Sequence, residues 1–214
     1  MILPEIDHLA LVGAHCDDIA IGAGATVAML GRARPGLRVT ALVLTGADSE
    51  REAEERAALT ELCDGADLTL TVADLPDNRL PGHWLAAKQQ VVALRDAGEP
   101  DLVICPQPGD AHQDHRLVAE LCAQTFRRQP VWGYEIAKYE SDLPVPTTFV
   151  AVPEEFVRLK VDLITRCYPS QAHHPWFDAE AFTALMRLRG IQCNRRHAEA
   201  FVVPKTLVQI GAQS

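Results

Sequence analysis

A three-layer α/β/α architecture around a mainly parallel sheet is the fold class this sequence predicts. Three observations predict it. Short apolar, β-branched runs alternate with longer amphipathic stretches along nearly the whole chain. The runs are apolar throughout, as strands covered on both faces must be. The densest groups of reactive side chains directly follow two of these runs, at the strand ends where ligands bind to open parallel sheets.

The elements follow in order. His8 to Ala14 fits a buried strand. Asp17 to Arg34 reads as a helix: acidic residues open it, apolar residues recur through Ile21, Val27, Met29 and Leu30, and Pro35-Gly36 stops it. Arg38 to Leu44 is a second strand, and Ser49 to Cys63 a charged amphipathic helix with Ser49 as the expected N-cap. Leu68 to Val72 is a third strand. His83 to Ala97 is a helix ended by Gly98 and Pro100, and Leu102 to Cys105 a fourth strand. Asp114 to Arg128 is helical. Val131 to Ile136 and Thr147 to Val152 are further strands, Glu154 to Arg166 and Ala179 to Arg189 further helices, and Ala200 to Val203 a last strand. Together they describe a Rossmann-like arrangement, with residues 1-214 expected to form one domain. A chain of 214 residues suffices for one well-buried core and is short for two.

Composition excludes several classes of function. An apolar fraction of 48% and a charged fraction of 23% are those of an ordinary globular chain. The formal net charge of -9, with no Lys/Arg block to offset it, disfavours nucleic acid and anionic membrane surfaces. No apolar run is long enough to span a bilayer. The start, Met-Ile-Leu-Pro-Glu-Ile-Asp, lacks the basic and apolar regions of a signal peptide, so a cytoplasmic location is expected. The six cysteines are scattered without a C-x-x-C pair, and a disulfide framework is not expected. A homo-oligomer is compatible with everything in the sequence.

Two segments carry the chemistry. Ala14-His15-Cys16-Asp17-Asp18 directly follows the first strand and places an imidazole and two carboxylates where a helix begins. These donors suit Zn²⁺, and equally Fe²⁺ or Mn²⁺. One aspartate could ligate while the other serves as a base; the plainer reading is that both cap the helix. Asp110-Ala111-His112-Gln113-Asp114-His115 follows the fourth strand. His112 and His115 can share a helix face, and Asp114 can accept an N–H from a histidine and fix its tautomer. The plainer reading here is a polar loop. Taken together, the two segments supply three metal ligands plus spare acid/base groups, the layout of a catalytic zinc site. Gly22-Ala23-Gly24-Ala25 lies inside a helix instead of at a strand-to-helix turn, so close packing explains it better than dinucleotide binding.

A-H-C-D-D followed by I-x-I-G-A-G-A-T, and later H-Q-D-H, resembles the LmbE-like or PIG-L family of N-acetylglucosaminyl deacetylases. Arg51-x-x-Glu54, Leu75-Pro76-Asp77-Asn78-Arg79-Leu80, Tyr168-Pro169-Ser170-Gln171 and Ala198-Glu199-Ala200-Phe201 are similar to further family segments in the same order. The resemblance implies zinc held by His15, Asp18 and His115. It implies Asp17 as general base and His112 as oxyanion stabiliser or acid, with Asp114 behind His112, orienting it and keeping it cationic. It implies substrate contacts by Arg51 and Asp77. The activity implied is hydrolytic removal of an acetyl group from a small N-acetylated substrate of amino-sugar type, a glycoconjugate or a natural-product intermediate. Two departures stand out. Cys16 replaces the usual Pro and is expected to pack away from the metal. Ile19 replaces the usual Glu, which removes an acidic group from behind the ligands.

Other polar residues carry less. His173-His174-Pro175-Trp176 could form a pocket wall or lid, and His83-Trp84 could line the same mouth. His197 reads as structural, and Trp132-Gly133-Tyr134-Glu135 as a core strand. The rival functions are a metal-dependent hydrolase of another ester, amide or phosphoester class, a non-catalytic binding module of the same fold, and a nucleotide-binding oxidoreductase. The lack of an Arg/Lys cluster, the intact ligand set and the misplaced glycines argue against the three in turn.

Overall fold

A computed structural model describes residues 6–207. Residues 1–5, which include most of the start read as lacking a signal peptide, lie outside the described residues, as do residues 208–214. The elements run β1 (His8–Gly13), α1 (Asp18–Ala33), β2 (Arg38–Val43), α2 (Glu50–Leu62), β3 (Asp67–Val72), α3 (Trp84–Asp96), β4 (Leu102–Pro106), α4 (Gln113–Thr125), β5 (Val131–Tyr134), β6 (Thr148–Ala151), α5 (Glu154–Cys167), α6 (Ala179–Gln192) and β7 (Ala198–Val202). The sheet order is β3-β2-β1-β4-β5-β7-β6. β1 pairs in parallel with β2 and β4, as do β2 with β3 and β4 with β5. β7 alone runs against its neighbours β5 and β6.

Strand periodicity builds the three layers. Leu9 and Leu11 of β1 point to one face, where they join Ile19 and Ala23 of α1, Leu59 of α2 and Ile164 of α5. Ala10 and Val12 point to the other, against Ala87 and Val91 of α3 and Leu117 and Leu121 of α4. Every residue of β1 and β4 is buried, which is why these strands lack polar alternation. At the sheet edge, β3 does alternate: Asp67, Thr69 and Thr71 are exposed, and the apolar residues between them are half-buried. No helix among the described residues is long and apolar enough to cross a membrane.

The glycines of α1 are packing residues. An added Cβ at Gly22 would lie 2.2 Å from Cδ2 and 2.9 Å from Cβ of Tyr134, whose hydroxyl donates to the Val12 carbonyl at 3.0 Å. Only a glycine lets the helix approach the sheet this closely.

Several boundaries differ from the sequence expectation: β5 stops at Tyr134, β7 begins at Ala198 and α6 runs on to Gln192. The segment before α3 is a 3-10 turn over Leu80–His83. α4 ends at Thr125, where Phe126 leaves the helix and buries its ring. Ser49 occupies the N-cap position of α2 but makes no side-chain cap; its hydroxyl donates back to the Gly46 carbonyl at 2.6 Å.

Gly22→Ala tests the contact with Tyr134. Both groups are buried and neither can yield, so overpacking is expected to cost ~2 kcal/mol, more than the helix-propensity gain of up to ~1 kcal/mol. The melting temperature should fall by roughly 2–6 °C in a thermal scan; an unchanged or raised value would contradict the packing account.

Candidate active site

β1 and β4 are adjacent, yet α1 leaves toward one face of the sheet and α4 toward the other. This divergence opens a crevice at the strands' carboxyl ends. A cavity of about 330 Å³ lies there. Of the residues expected to act, His15, Asp17, Asp18, Arg51, Asp77, His112 and His115 all line it, and Asp114 lies behind it, fully buried.

At the centre, three donors meet. His15 Nδ1 is 3.2 Å from His115 Nε2, which is 3.2 Å from Asp18 Oδ1; the His15 Nδ1 to Asp18 Oδ2 distance is 3.7 Å. Neither aspartate caps α1. Asp18 Oδ2 accepts from the backbone N–H groups of Ala14 and His15 at 2.8 and 2.9 Å, clamping the turn that presents His15. Asp17 sits at the N-cap position with φ 114° and no side-chain cap bond. That backbone region is unfavourable for a side chain, and such strain persists only where the surroundings enforce it.

Each imidazole is held from behind. His115 Nδ1 lies 3.0 Å from Asp110 Oδ2. Asp110 Oδ1 accepts from His112 N at 2.8 Å and from Lys138 Nζ at 2.9 Å. His15 Nε2 lies 3.2 Å from Asp114 Oδ2 and 3.0 Å from Asp77 Oδ1, and Asp114 Oδ1 accepts from Leu80 N at 3.1 Å. Such outer carboxylates fix the tautomer that leaves the inner nitrogens facing one point.

Burial opposes charge throughout this cluster, but mutual pairing outweighs it. The carboxylates of Asp114, Asp18 and Asp77 lift His15 well above the usual imidazole value, and Asp18 and Asp110 lift His115 to about 9. The two histidines in turn hold Asp18 well below the carboxylate range, while His115 and Lys138 hold Asp110 at about 2. The carboxylates and imidazoles of the cluster therefore favour one another's charged forms.

His112 differs from expectation. Asp114 does not stand behind it: the Asp114 carboxylate points at His15, because the first turn of α4 aims that side chain back into the core toward Leu80. His112 is itself the N-cap of α4, its Nδ1 accepting from Asp114 N at 3.2 Å. Nδ1 thus carries a lone pair, and the proton resides on Nε2, which faces Asn78 Oδ1 at 2.9 Å. Burial and the neighbouring His15 and His115 lower the His112 pKa, the opposite direction to the cationic state expected from the sequence.

Asp17 is 5% exposed, and burial pushes its carboxyl up to about 8 against the pull of Arg51. Arg51 donates to Asp17 Oδ2 at 2.9 Å and to the Cys16 carbonyl. Two of its donors are therefore engaged within the protein, although its side chain still borders the cavity. Asp17 N donates to Glu55 Oε2 at 2.9 Å, and the buried Tyr168 hydroxyl donates to the same oxygen at 2.6 Å. The Cys16 thiol packs away from the histidines, 3.5 Å from the Thr45 carbonyl, and burial raises its pKa.

Of the residues assigned weaker roles, Trp176 lines the cavity and stacks on His174 at 5.8 Å, while His173, His174, His83 and Trp84 do not line it. His197 is buried beside Glu154, and Trp132 and Tyr134 are core. Sequence reasoning gave no role to Asp110, Glu55, Asn78, Lys138 or Tyr168. Glu55 did carry a signal: it shares the helical stripe of Ala58, Leu59 and Leu62, an apolar face on which a carboxylate is out of place.

Comparison with known proteins adds family context. Residues 10–126, which span both motif segments, match the family model described as PIG-L, GlcNAc-PI de-N-acetylase. A relative named as the uncharacterized deacetylase YaiS of Escherichia coli (strain K12) is 28% identical over 159 residues, 70% of this chain and 84% of that protein. Two solved structures share the fold. The N,N'-diacetylchitobiose deacetylase from Pyrococcus horikoshii is 20% identical over 93% of this chain and 84% of its own, with a TM-score of 0.71. GalB, the 4-carboxy-2-hydroxymuconate hydratase from Pseudomonas putida KT2440, is 17% identical over 97% of this chain and 100% of its own, with a TM-score of 0.73.

Burial raises the fully buried Glu55 carboxyl to about 7, although the Tyr168 hydroxyl and Asp17 N–H oppose this. The folded protein therefore holds this proton more tightly than the unfolded chain does. The linked stability is complete below about pH 4.5 and is lost as pH rises to about 7, a swing on the order of 3 kcal/mol. In chelator-treated protein, Glu55→Gln should remove the swing, so the variant's melting temperature should gain on the wild type between pH 5 and pH 8. A difference that stays constant across that range would contradict it.

Proposed function

Because the chain belongs to the GlcNAc-PI de-N-acetylase (PIG-L) family, we propose that it is a zinc-dependent amidohydrolase removing the acetyl group from a small N-acetylated substrate of amino-sugar type. The observation that carries this reading is the meeting of His15 Nδ1, Asp18 and His115 Nε2 within 3.2–3.7 Å, with the Asp17 carboxylate beside them. Two imidazoles and a carboxylate suit Zn²⁺ and also Fe²⁺, and their separations are those of donors arranged around one small cation. The fit extends to the outer partners Asp110 and Asp114, each placed on the far nitrogen of a ligand imidazole.

The ion would supply Lewis acidity toward the acetyl carbonyl and acidify water at the site. The remaining work belongs to the chain. The Asp17 carboxylate, in the cavity wall beside the three donors, takes the proton of the attacking water and returns it to the departing amine. His112 donates a hydrogen bond from Nε2 to the carbonyl oxygen as charge develops there, keeping its proton and exchanging Asn78 Oδ1 for the substrate. Arg51 holds Asp17 in place, and with Asp77 borders the space the substrate fills. An amino sugar suits a cavity that combines these charges with the half-buried Trp176 at its rim.

The test is acetate release from a panel of N-acetylated sugars and glycosides, with and without chelator, alongside metal analysis of the purified protein. The panel includes phosphomonoesters and an unsaturated acid, since the same fold carries a hydratase. Asp17→Asn should retain stoichiometric metal and lose roughly 10²–10⁴-fold in kcat. His115→Ala should lose the metal. Full activity in stripped protein, or in Asp17→Asn, would overturn the reading.

A second prediction separates Asp114 from His112. Asp114→Asn should weaken the affinity for Zn²⁺ roughly 10–100-fold in competition with a chromophoric chelator, because it loosens His15. His112→Ala should leave that affinity within a few fold while lowering kcat by ~10²-fold or more. The reverse pattern would restore Asp114 to a place behind His112.

A further inference from the structure

We infer that Glu55, braced by Tyr168, is the positioning residue for the base, holding Asp17 in the backbone conformation from which its carboxylate reaches the cavity. This rests on the reading of Asp17 as the base. As the N-cap of α1, Asp17 offers its carbonyl to Ile21 N at 2.9 Å, while its own N–H has no partner within the helix and points into the protein interior. A buried N–H left unpaired there costs about 1–3 kcal/mol. Glu55 Oε2 meets it at 2.9 Å from a different helix, α2. Glu55 is 0% exposed, and its Oε1 has no hydrogen-bond partner among the described residues, so Oε2 carries the whole interaction. Tyr168, also 0% exposed, donates its hydroxyl to Oε2 at 2.6 Å and removes the carboxylate's freedom to swing.

The neighbouring pair repeats the brace. Ser170 donates through N at 2.9 Å and through Oγ at 2.6 Å to Glu54, whose Oε2 lies 3.5 Å from Arg51 Nε. The turn Tyr168-Pro169-Ser170-Gln171 thus grips two successive acids of α2. One reaches the Asp17 backbone directly, and the other reaches its side chain through Arg51. The first motif supplies no acid of its own for this purpose, because Ile19 stands after Asp18.

The experiment compares Glu55→Ala, Glu55→Gln and Tyr168→Phe with Asp17→Ala and with Lys160→Met. Lys160 is buried on a remote ion pair with Glu199, so its variant controls for lost stability alone. All are full-length and loaded with one equivalent of Zn²⁺, and acetate release is followed on the panel compound turned over fastest. Glu55→Ala should lose ~100-fold in kcat with KM within about twofold and metal content unchanged, the cost of a displaced catalytic group. Tyr168→Phe should lose about tenfold, and Glu55→Gln, which keeps an oxygen acceptor, should recover to within a few fold of wild type. In solution, amide hydrogen exchange at Asp17 should quicken at least ~10-fold in Glu55→Ala and not in Lys160→Met. Should Glu55→Ala fail to fold, Tyr168→Phe and the exchange rate at Asp17 in that variant decide the matter. Wild-type kcat in Glu55→Ala and Tyr168→Phe, a loss no larger than that of Lys160→Met, or unchanged exchange at Asp17 would overturn the inference. If Asp17→Ala keeps full activity, the base assignment fails first, and the exchange data still report on the brace.

Discussion

The structure is organised around the cost of gathering His15, Asp18 and His115 largely out of water within 3.2–3.7 Å of one another. Buried ionisable groups are tolerated only when every one is paired, and removing a partner is more damaging than never having had the pair. The surroundings answer that demand group by group. Asp110 and Asp114 occupy the outer imidazole nitrogens, the backbone of Ala14 and Ala14's neighbour His15 satisfies Asp18, and Leu80 and Lys138 satisfy the outer carboxylates in turn. The strands β1 and β4 must therefore be adjacent, and the Leu80–His83 turn must fold against α4.

That arrangement divides labour between two kinds of carboxylate. Those held low, Asp18 and Asp110, carry permanent negative charge and suit the binding and orienting of positive charge. Asp17 is pushed the other way by burial. The two sit next to each other in sequence. What separates them is the direction of the side chain: one is folded back onto its own turn, the other is turned toward Arg51. His112 completes the division: burial and its charged neighbours shift it down, where His15 and His115 are shifted up.

Much of this was legible in the sequence because it depends on local pattern plus one topological rule. Continuous apolar runs marked β1 and β4, and the rule that ligands gather at carboxyl ends brought two distant segments to one crevice. What stayed hidden depends on where side chains point across elements. The partner of Asp114 is set by the helical phase of α4 against the Leu80 turn, which no spacing within D-A-H-Q-D-H encodes. Asp110 was visible as a residue but not as the anchor of His115. The reversal of β7 was likewise hidden, since a short apolar run carries no direction. Tyr168 and Glu55 meet from α2 and the turn after α5, so their pairing needed the fold to be known first.

The left-handed backbone at Asp17 has an evolutionary corollary. A glycine would sit there without torsional penalty, relieving strain on the order of 1–3 kcal/mol. Laboratory evolution that rewarded thermal robustness alone would drift toward that replacement and discard the carboxylate proposed as the base. Under that proposal ruggedness and turnover are set against each other at a single codon, and a selection meant to improve this scaffold must score both at once.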